Sequence, residues 1–149
     1  MITLKKNLQT LKAGSLVLLA FLFDQLTKYI LYTNSGSGMI RLVQVQNSGA
    51  IFGFFAGNNT VILLLAGLVL GVIYYFKDSI HPVWAPYIII GAGLGNILDR
   101  IVFGYVRDFI AVQGFSVFNG ADILLTVSGA AILAYEFFQN SSRSLTSSK

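Results

Sequence analysis

The sequence predicts a mainly α-helical integral membrane protein with four transmembrane helices and a short β-element in the first outer loop. Of the 149 residues, 55% are hydrophobic and only 11% are charged, whereas about a quarter of the residues in a soluble domain are charged. Four apolar segments are close to the ~20 residues that cross a membrane. They lie at residues 13–32, 60–76, 83–103 and 121–138. We expect one four-helix domain over residues 1–139 and a disordered cytoplasmic tail over residues 140–149.

The first segment follows several lysines and could be read as a signal peptide. Its apolar stretch continues to about Tyr32 without a cleavage site of small residues, so we predict an uncleaved first transmembrane helix. Basic residues are concentrated near the two chain ends and at Lys77 in the short loop between helices 2 and 3. The positive-inside rule therefore places both termini in the cytoplasm.

The loop over residues 33–59 is then on the outer side. Apolar and polar residues alternate over residues 39–46 (MIRLVQVQ), which predicts a short β-element. The apolar residues 50–55 that follow are expected at the membrane interface. Further along, Pro82 and Pro86 suit the first turn of helix 3. The pairs Gly67–Gly71 and Gly91–Gly95 suit close helix packing.

With this orientation, nearly every unusual polar residue comes to the outer face of the membrane. They are Asp24 and Lys28 in helix 1, Asn47 in the outer loop, Asn96, Asp99 and Arg100 in helix 3, Asp108 in the next connecting loop, and Asn119 and Asp122 at the start of helix 4. Ionisable groups beside hydrocarbon are costly and indicate a functional site. Two neighbouring carboxylates, Asp108 and Asp122, suggest a pair that shares one proton and activates water.

Structural interpretations of the same residues stay open. Asp24 and Lys28 have i, i+4 spacing and can form an internal ion pair. Asn119 and Asp122 have the spacing of a helix cap. Asp108 could be a solvated loop acid. The polar residues of helix 3 could simply tie helices together.

Composition also narrows the classes of function. The chain has no cysteine and one histidine, which excludes disulfides and thiolate sites and argues against a histidine-rich metal site. We expect no metal and no cofactor. The basic residues form no run with interleaved aromatics, so we expect no nucleic-acid partner. A small membrane carrier or proton relay, or a non-enzymatic membrane assembly protein, remains an alternative to an enzyme.

Four blocks carry a resemblance to a known family. They are DQLTK (Asp24–Lys28), NSGAIFGFF (Asn47–Phe55), GNILDRIVFGYVRDF (Gly95–Phe109) and FNGAD (Phe118–Asp122). In this order, with four helices, the chain resembles bacterial lipoprotein signal peptidases (signal peptidase II), which are membrane aspartyl proteases.

The resemblance implies a multi-pass enzyme of the bacterial inner membrane, with a small extracytoplasmic β-cradle in the first outer loop and its active site at the outer face. It would remove the signal peptide from prolipoproteins, cutting before a diacylglyceryl-modified cysteine, and would be inhibited by globomycin. The catalytic residues would be Asp108 and Asp122. The substrate-binding or supporting residues would be Asn47, Asn96, Asp99, Arg100, Asn119, Asp24 and Lys28. We further expect the outer loop, with Asn47 and Phe52, to clamp the substrate.

The chain departs from the family pattern at several positions. Arg107 and Gly120 stand where apolar residues are usual, Ile51 replaces a small residue, and GAG over residues 91–93 replaces GGA. These departures leave substrate preference and inhibitor affinity open. If Arg107 points toward Asp108, it should lower the pKa of that carboxyl.

Overall fold

The computed structural model describes residues 2–49 and 57–147. Its helices are α1 (Ile2–Leu31), α2 (Asn59–Phe76), α3 (Ala85–Phe103) and α4 (Gly120–Ser147), and its strands are β1 (Ile40–Asn47), β2 (Val106–Val112) and β3 (Val117–Phe118). Each helix contains a segment long and apolar enough to cross a membrane: Thr10–Leu31, Asn59–Phe76, Ala85–Phe103 and Gly120–Ser142. The predicted fold class, four membrane helices with a small sheet, is confirmed.

Helix α3 is the centre of the bundle and packs against each of the other three helices. Glycines permit the closest approach, to α1. A Cβ on Gly91 would collide with the backbone carbonyl of Val17 and lie 2.8 Å from the Cβ of Ala20. A Cβ on Gly95 would collide with the carboxylate of Asp24. The prediction that this pair serves close helix packing is confirmed.

The same prediction is wrong for the glycines of α2. A Cβ on Gly67 or Gly71 would meet nothing within 4 Å. Helix α2 instead approaches α3 through the side chain of Leu70, which lies over Gly93. The small residue of this contact is therefore on α3 alone.

The ends of α2 and α3 carry local signals. The side chain of Asn58 caps α2 by accepting a hydrogen bond from the backbone N–H of Val61 (3.3 Å). Pro86 lies in the first turn of α3, as predicted, but Pro82 precedes the helix, which begins at Ala85. Helix α3 ends at Phe103 and is capped by Gly104, whose φ of 81° is a left-handed conformation that favours glycine.

The sheet is antiparallel with the order β1-β2-β3. The predicted β-element of the first outer loop is β1. The central strand β2 comes from the connection between α3 and α4, where we expected only a loop containing Asp108. That expectation was wrong because β2 is buried on both faces, so its apolar residues do not alternate with polar ones in a recognisable way.

Helix α4 extends to Ser147, into the segment over residues 140–149 for which we expect a disordered cytoplasmic tail. That expectation stays a prediction. No proline or glycine follows Gly129 to end it. The hydroxyl of Ser142 donates to the carbonyl of Phe138 (2.9 Å), a bond compatible with continued helix.

The glycine contacts generate a stability prediction. Gly91→Ala should lower the thermal stability of the protein in detergent, since overpacking against a backbone carbonyl costs roughly 1–3 kcal/mol. Gly71→Ala is the matched control, because its added methyl meets open space and alanine favours helix. Equal melting temperatures for the two variants would contradict the close approach of α1 and α3.

Candidate active site

A lysine forms the centre of the polar cluster. Lys28 and Asp24 lie one turn apart on α1, and both side chains are fully buried. The Lys28 ammonium donates to Asp24 Oδ2 (2.8 Å) and to Asn96 Oδ1 (2.8 Å) and lies 3.2 Å from Asp99 Oδ2. The ammonium therefore makes two hydrogen bonds and a second ion-pair contact, and two of its three partners are on α3. The predicted ion pair exists, and it also joins two helices.

Asp24 further fixes the start of α4. Its Oδ1 accepts a hydrogen bond from the backbone N–H of Ala121 (2.9 Å), one of the N–H groups that has no partner within the helix. The approach is close enough that a Cβ on Gly120 would lie 2.6 Å from Thr27 Oγ1. This contact explains why glycine stands at a position where an apolar side chain was expected.

Asp99 anchors the central strand to the bundle. It accepts hydrogen bonds from the backbone N–H of Arg107 (3.0 Å) and from its guanidinium (2.7 and 3.2 Å). The same guanidinium donates to Gln25 Oε1 (2.9 Å). Arg107 thus points to α1 and α3, away from its neighbour Asp108, because successive side chains of a strand point to opposite faces. The condition under which Arg107 would lower the pKa of Asp108 is therefore not met.

Asp108 on β2 is 2% exposed. Its two carboxylate oxygens accept hydrogen bonds from the side-chain amides of Asn47 (2.9 Å) and Asn119 (2.6 Å). Burial raises the pKa of Asp108 to about 6; the two amide donors oppose that rise and the charge of Asp122 adds to it. A carboxyl in this range can change its protonation state near neutral pH.

Asp122 lies in the first turn of α4, where it forms a reciprocal cap with Asn119. The Asn119 backbone N–H donates to Asp122 Oδ2 (3.0 Å), and the Asp122 backbone N–H donates to Asn119 Oδ1 (3.1 Å). The Asn96 amide also reaches Asp122 Oδ1 at 3.5 Å. The helix-cap interpretation is therefore correct, and the cap residue Asn119 contacts both carboxylates of the predicted pair.

Arg100 connects α3 to the segment between α1 and α2. Its Nη2 donates to the carbonyl of Gly49 (2.6 Å), while Asn59 donates to the Arg100 carbonyl (3.0 Å). Arg100 Nη1 is buried and has no hydrogen-bond partner in the described part of the chain. Phe52 and the apolar residues 50–55 lie outside the described residues.

The structure thus brings together every predicted site residue that it describes. Sequence reasoning missed Gln25, Asn59 and the role of Arg107 as an anchor. Gln25 carried a usable signal, because a polar residue inside a spanning segment needs a partner. Arg107 carried none, since its partner Asp99 is on another element. Within residues 2–49 and 57–147, no group of three or more His, Cys, Asp or Glu residues could hold a metal ion.

Comparisons of the sequence with known proteins all match the same protein family. The family model described as "Signal peptidase (SPase) II" matches residues 16–139. A lipoprotein signal peptidase of Dehalococcoides mccartyi is 37% identical over 130 residues, which cover 75% of this chain and 80% of that protein. One of Thermodesulfovibrio yellowstonii is 34% identical over 145 residues, covering 87% and 97%.

Solved structures agree with the sequence comparisons. A bacterial membrane enzyme determined by the in meso method at 2.3 Å superposes with a TM-score of 0.77 at 26% identity, covering 88% of this chain and 90% of that one. A second, at 1.9 Å, gives a TM-score of 0.70 at 28% identity. Together with the four spanning helices, these matches identify a multi-pass membrane protein. The chain belongs to the signal peptidase II family.

Proposed function

We propose that this protein is an aspartic-type endopeptidase that removes the signal peptide from prolipoproteins, cutting before a diacylglyceryl-modified cysteine. Its relatives carry the name lipoprotein signal peptidase, which supports the substrate class. The observation that carries the aspartic-type assignment is the placement of Asp108 and Asp122 around one residue. Asn119 donates to Asp108 through its side chain and to Asp122 through its backbone.

The chemistry needs one proton shared by two carboxyls. The ionised carboxylate takes a proton from water, whose oxygen attacks the carbonyl carbon of the scissile peptide bond. The protonated carboxyl donates to the carbonyl oxygen and stabilises the tetrahedral intermediate. The C–N bond then breaks as the leaving nitrogen receives a proton. The pair titrates as a unit, so the two roles belong to the pair.

The proposed orientation has both termini in the cytoplasm of a bacterium and the site at the outer face of the inner membrane. It is supported by the concentration of basic residues near the chain ends and at Lys77. The carboxyl ends of α1 and α3 and the start of α4 then meet on the outer side. The acyl chains of the substrate would stay in lipid while its backbone reaches the carboxylates.

The substrate-binding roles belong to the same proposal. Asn47, on β1 and in contact with Asp108, would hold the peptide beside the catalytic pair. Phe52, in the outer loop, would close over it. Asp24, Lys28, Asn96, Asp99, Arg100 and Asn119 would support the site. A globomycin-type inhibitor would occupy the same space.

The two rival functions fit the site less well. A proton or ion carrier needs polar groups spread through the membrane thickness. Among the described residues, the buried polar and charged side chains gather around the outer site, with Ser128 as the exception. A non-enzymatic assembly protein catalyses no reaction. Substitution of Asp108 and Asp122 distinguishes it from an enzyme, because only an enzyme would lose a cleavage activity.

Asp108→Asn and Asp122→Asn should each abolish cleavage of a diacylated prolipoprotein by the purified protein in detergent. Removing an acid–base group from such a step costs about 10²–10⁴-fold in rate. Asp78→Asn is the matched control, because the Asp78 side chain is 81% exposed in the loop between α2 and α3. Thermal unfolding of every variant shows whether the fold is retained.

Full cleavage by either folded variant would remove that aspartate from the catalytic role. A wild-type protein that is folded but inactive on this substrate would favour the carrier or assembly interpretation.

The pH dependence of cleavage tests the environment of Asp108. Hydrogen bonds to the ionised form lower a carboxyl pKa, so Asn47→Ala, which removes one of the two amide donors, should raise the pKa of Asp108 above about 6. The limb of the pH–rate profile near pH 6 should move to higher pH by roughly one unit. Gln44→Ala, a control on the same strand whose exposed amide donates to the Tyr32 carbonyl, should leave the limb in place. A limb that stays put or moves down in Asn47→Ala would contradict the assignment.

A further inference from the structure

Large apolar side chains are exposed at one end of the outer sheet, beyond the spanning helices. The exposed fractions are 73% for Met39, 67% for Ile40 and 72% for Phe115. Backbone pairing brings them together. Ile40 pairs with Val112, and the N–H of Gln113 donates to the Met39 carbonyl (2.9 Å). The N–H of Phe115 donates to the Val112 carbonyl (2.9 Å). We call residues 39–40 and 112–116 the sheet tip.

The segments that build this end of the sheet are almost uncharged. Over residues 33–49 and 109–119 the single charged residue is Arg41. About a quarter of the residues of a water-exposed domain are charged, and exposed strand edges in water usually carry charges that block association. A surface of this composition, with three exposed apolar side chains, is suited to an apolar neighbour.

The sheet tip is continuous with the lipid-facing part of the molecule. The ring of Phe115 lies edge-to-face with that of Phe118, with centroids 6.3 Å apart. Phe118 ends β3, two residues before the spanning segment of α4 begins at Gly120. The exposed ring of Phe115 thus contacts the ring of Phe118, which lies just before the spanning segment of α4.

We infer that the sheet tip inserts into the headgroup–acyl boundary of the outer leaflet, with a phospholipid surface as its partner. Amphipathic elements insert apolar side chains to a depth of ~5–10 Å in this boundary. Arg41, the neighbour of Ile40, suits the phosphate groups above it. This contact holds the strand of Asp108 against the lipid from its far end. It does not depend on the proposed catalytic role of that residue.

The chain is well suited to a fluorescence test, because Trp84 is its single tryptophan. In a Trp84→Phe background, Ile40→Trp and Phe115→Trp are compared with Arg41→Trp, whose side chain starts from the opposite face of β1 to that of Ile40. Each full-length protein is reconstituted in phosphatidylglycerol–phosphatidylcholine vesicles with or without brominated acyl chains. Tryptophan at positions 40 and 115 should show blue-shifted emission that brominated lipid quenches. At position 41, aqueous iodide should quench more strongly than brominated lipid.

The opposite pattern at positions 40 and 115, with strong quenching by iodide and none by brominated lipid, would overturn the inference and leave the tip free for a protein partner. Equal quenching by brominated lipid at position 41 would also overturn it, because the contact would then not be specific to the side chains of the sheet tip.

A second probe tests the inference if the tryptophan variants do not fold. The chain has no cysteine, so a spin label on Phe115→Cys reports a unique site. Oxygen should collide with it more often than a water-soluble nickel chelate, and the reverse order would contradict insertion.

Discussion

The burial of the Lys28 ammonium is the interaction on which the site depends. Lys28 and the carboxylates of Asp24 and Asp99 have no solvent exposure. Two buried carboxylates and one buried ammonium would leave a net negative charge, which a low-dielectric interior penalises heavily. Arg107 supplies the second positive charge through its ion pair with Asp99. The four groups sum to zero and join α1, α3 and β2.

This balanced cluster determines how the proposed catalytic groups are presented. The Asn96 carbonyl oxygen accepts from Lys28, so its amide nitrogen is left to face Asp122. Asp24 holds the first turn of α4, where Asp122 lies. The two elements that carry the proposed catalytic carboxylates, β2 and α4, are therefore attached to α1 through charged groups. Rigid attachment of this kind is what preorganised acid–base chemistry needs.

The parts of this arrangement that depend on local spacing could be predicted from the sequence. The i, i+4 spacing predicted the Asp24–Lys28 pair, and Asn119 with Asp122 predicted the cap of α4. Interactions between distant elements could not be read in the same way. In the sequence, Arg107 is only a departure from the family pattern beside Asp108. Its partner, Asp99, becomes apparent only when β2 packs against α3. The strand itself was missed because both of its faces are buried.

Charge balance around Lys28 holds the site together. The most direct test measures the thermal stability in detergent of Lys28→Met, Asp24→Asn and the double variant. Lys28→Met leaves one uncompensated buried carboxylate and should be strongly destabilised, by roughly 3–5 kcal/mol. Adding Asp24→Asn returns the cluster to neutrality, so the double variant should recover much of that loss. A double variant that is as unstable as the sum of the two single changes would contradict the claim.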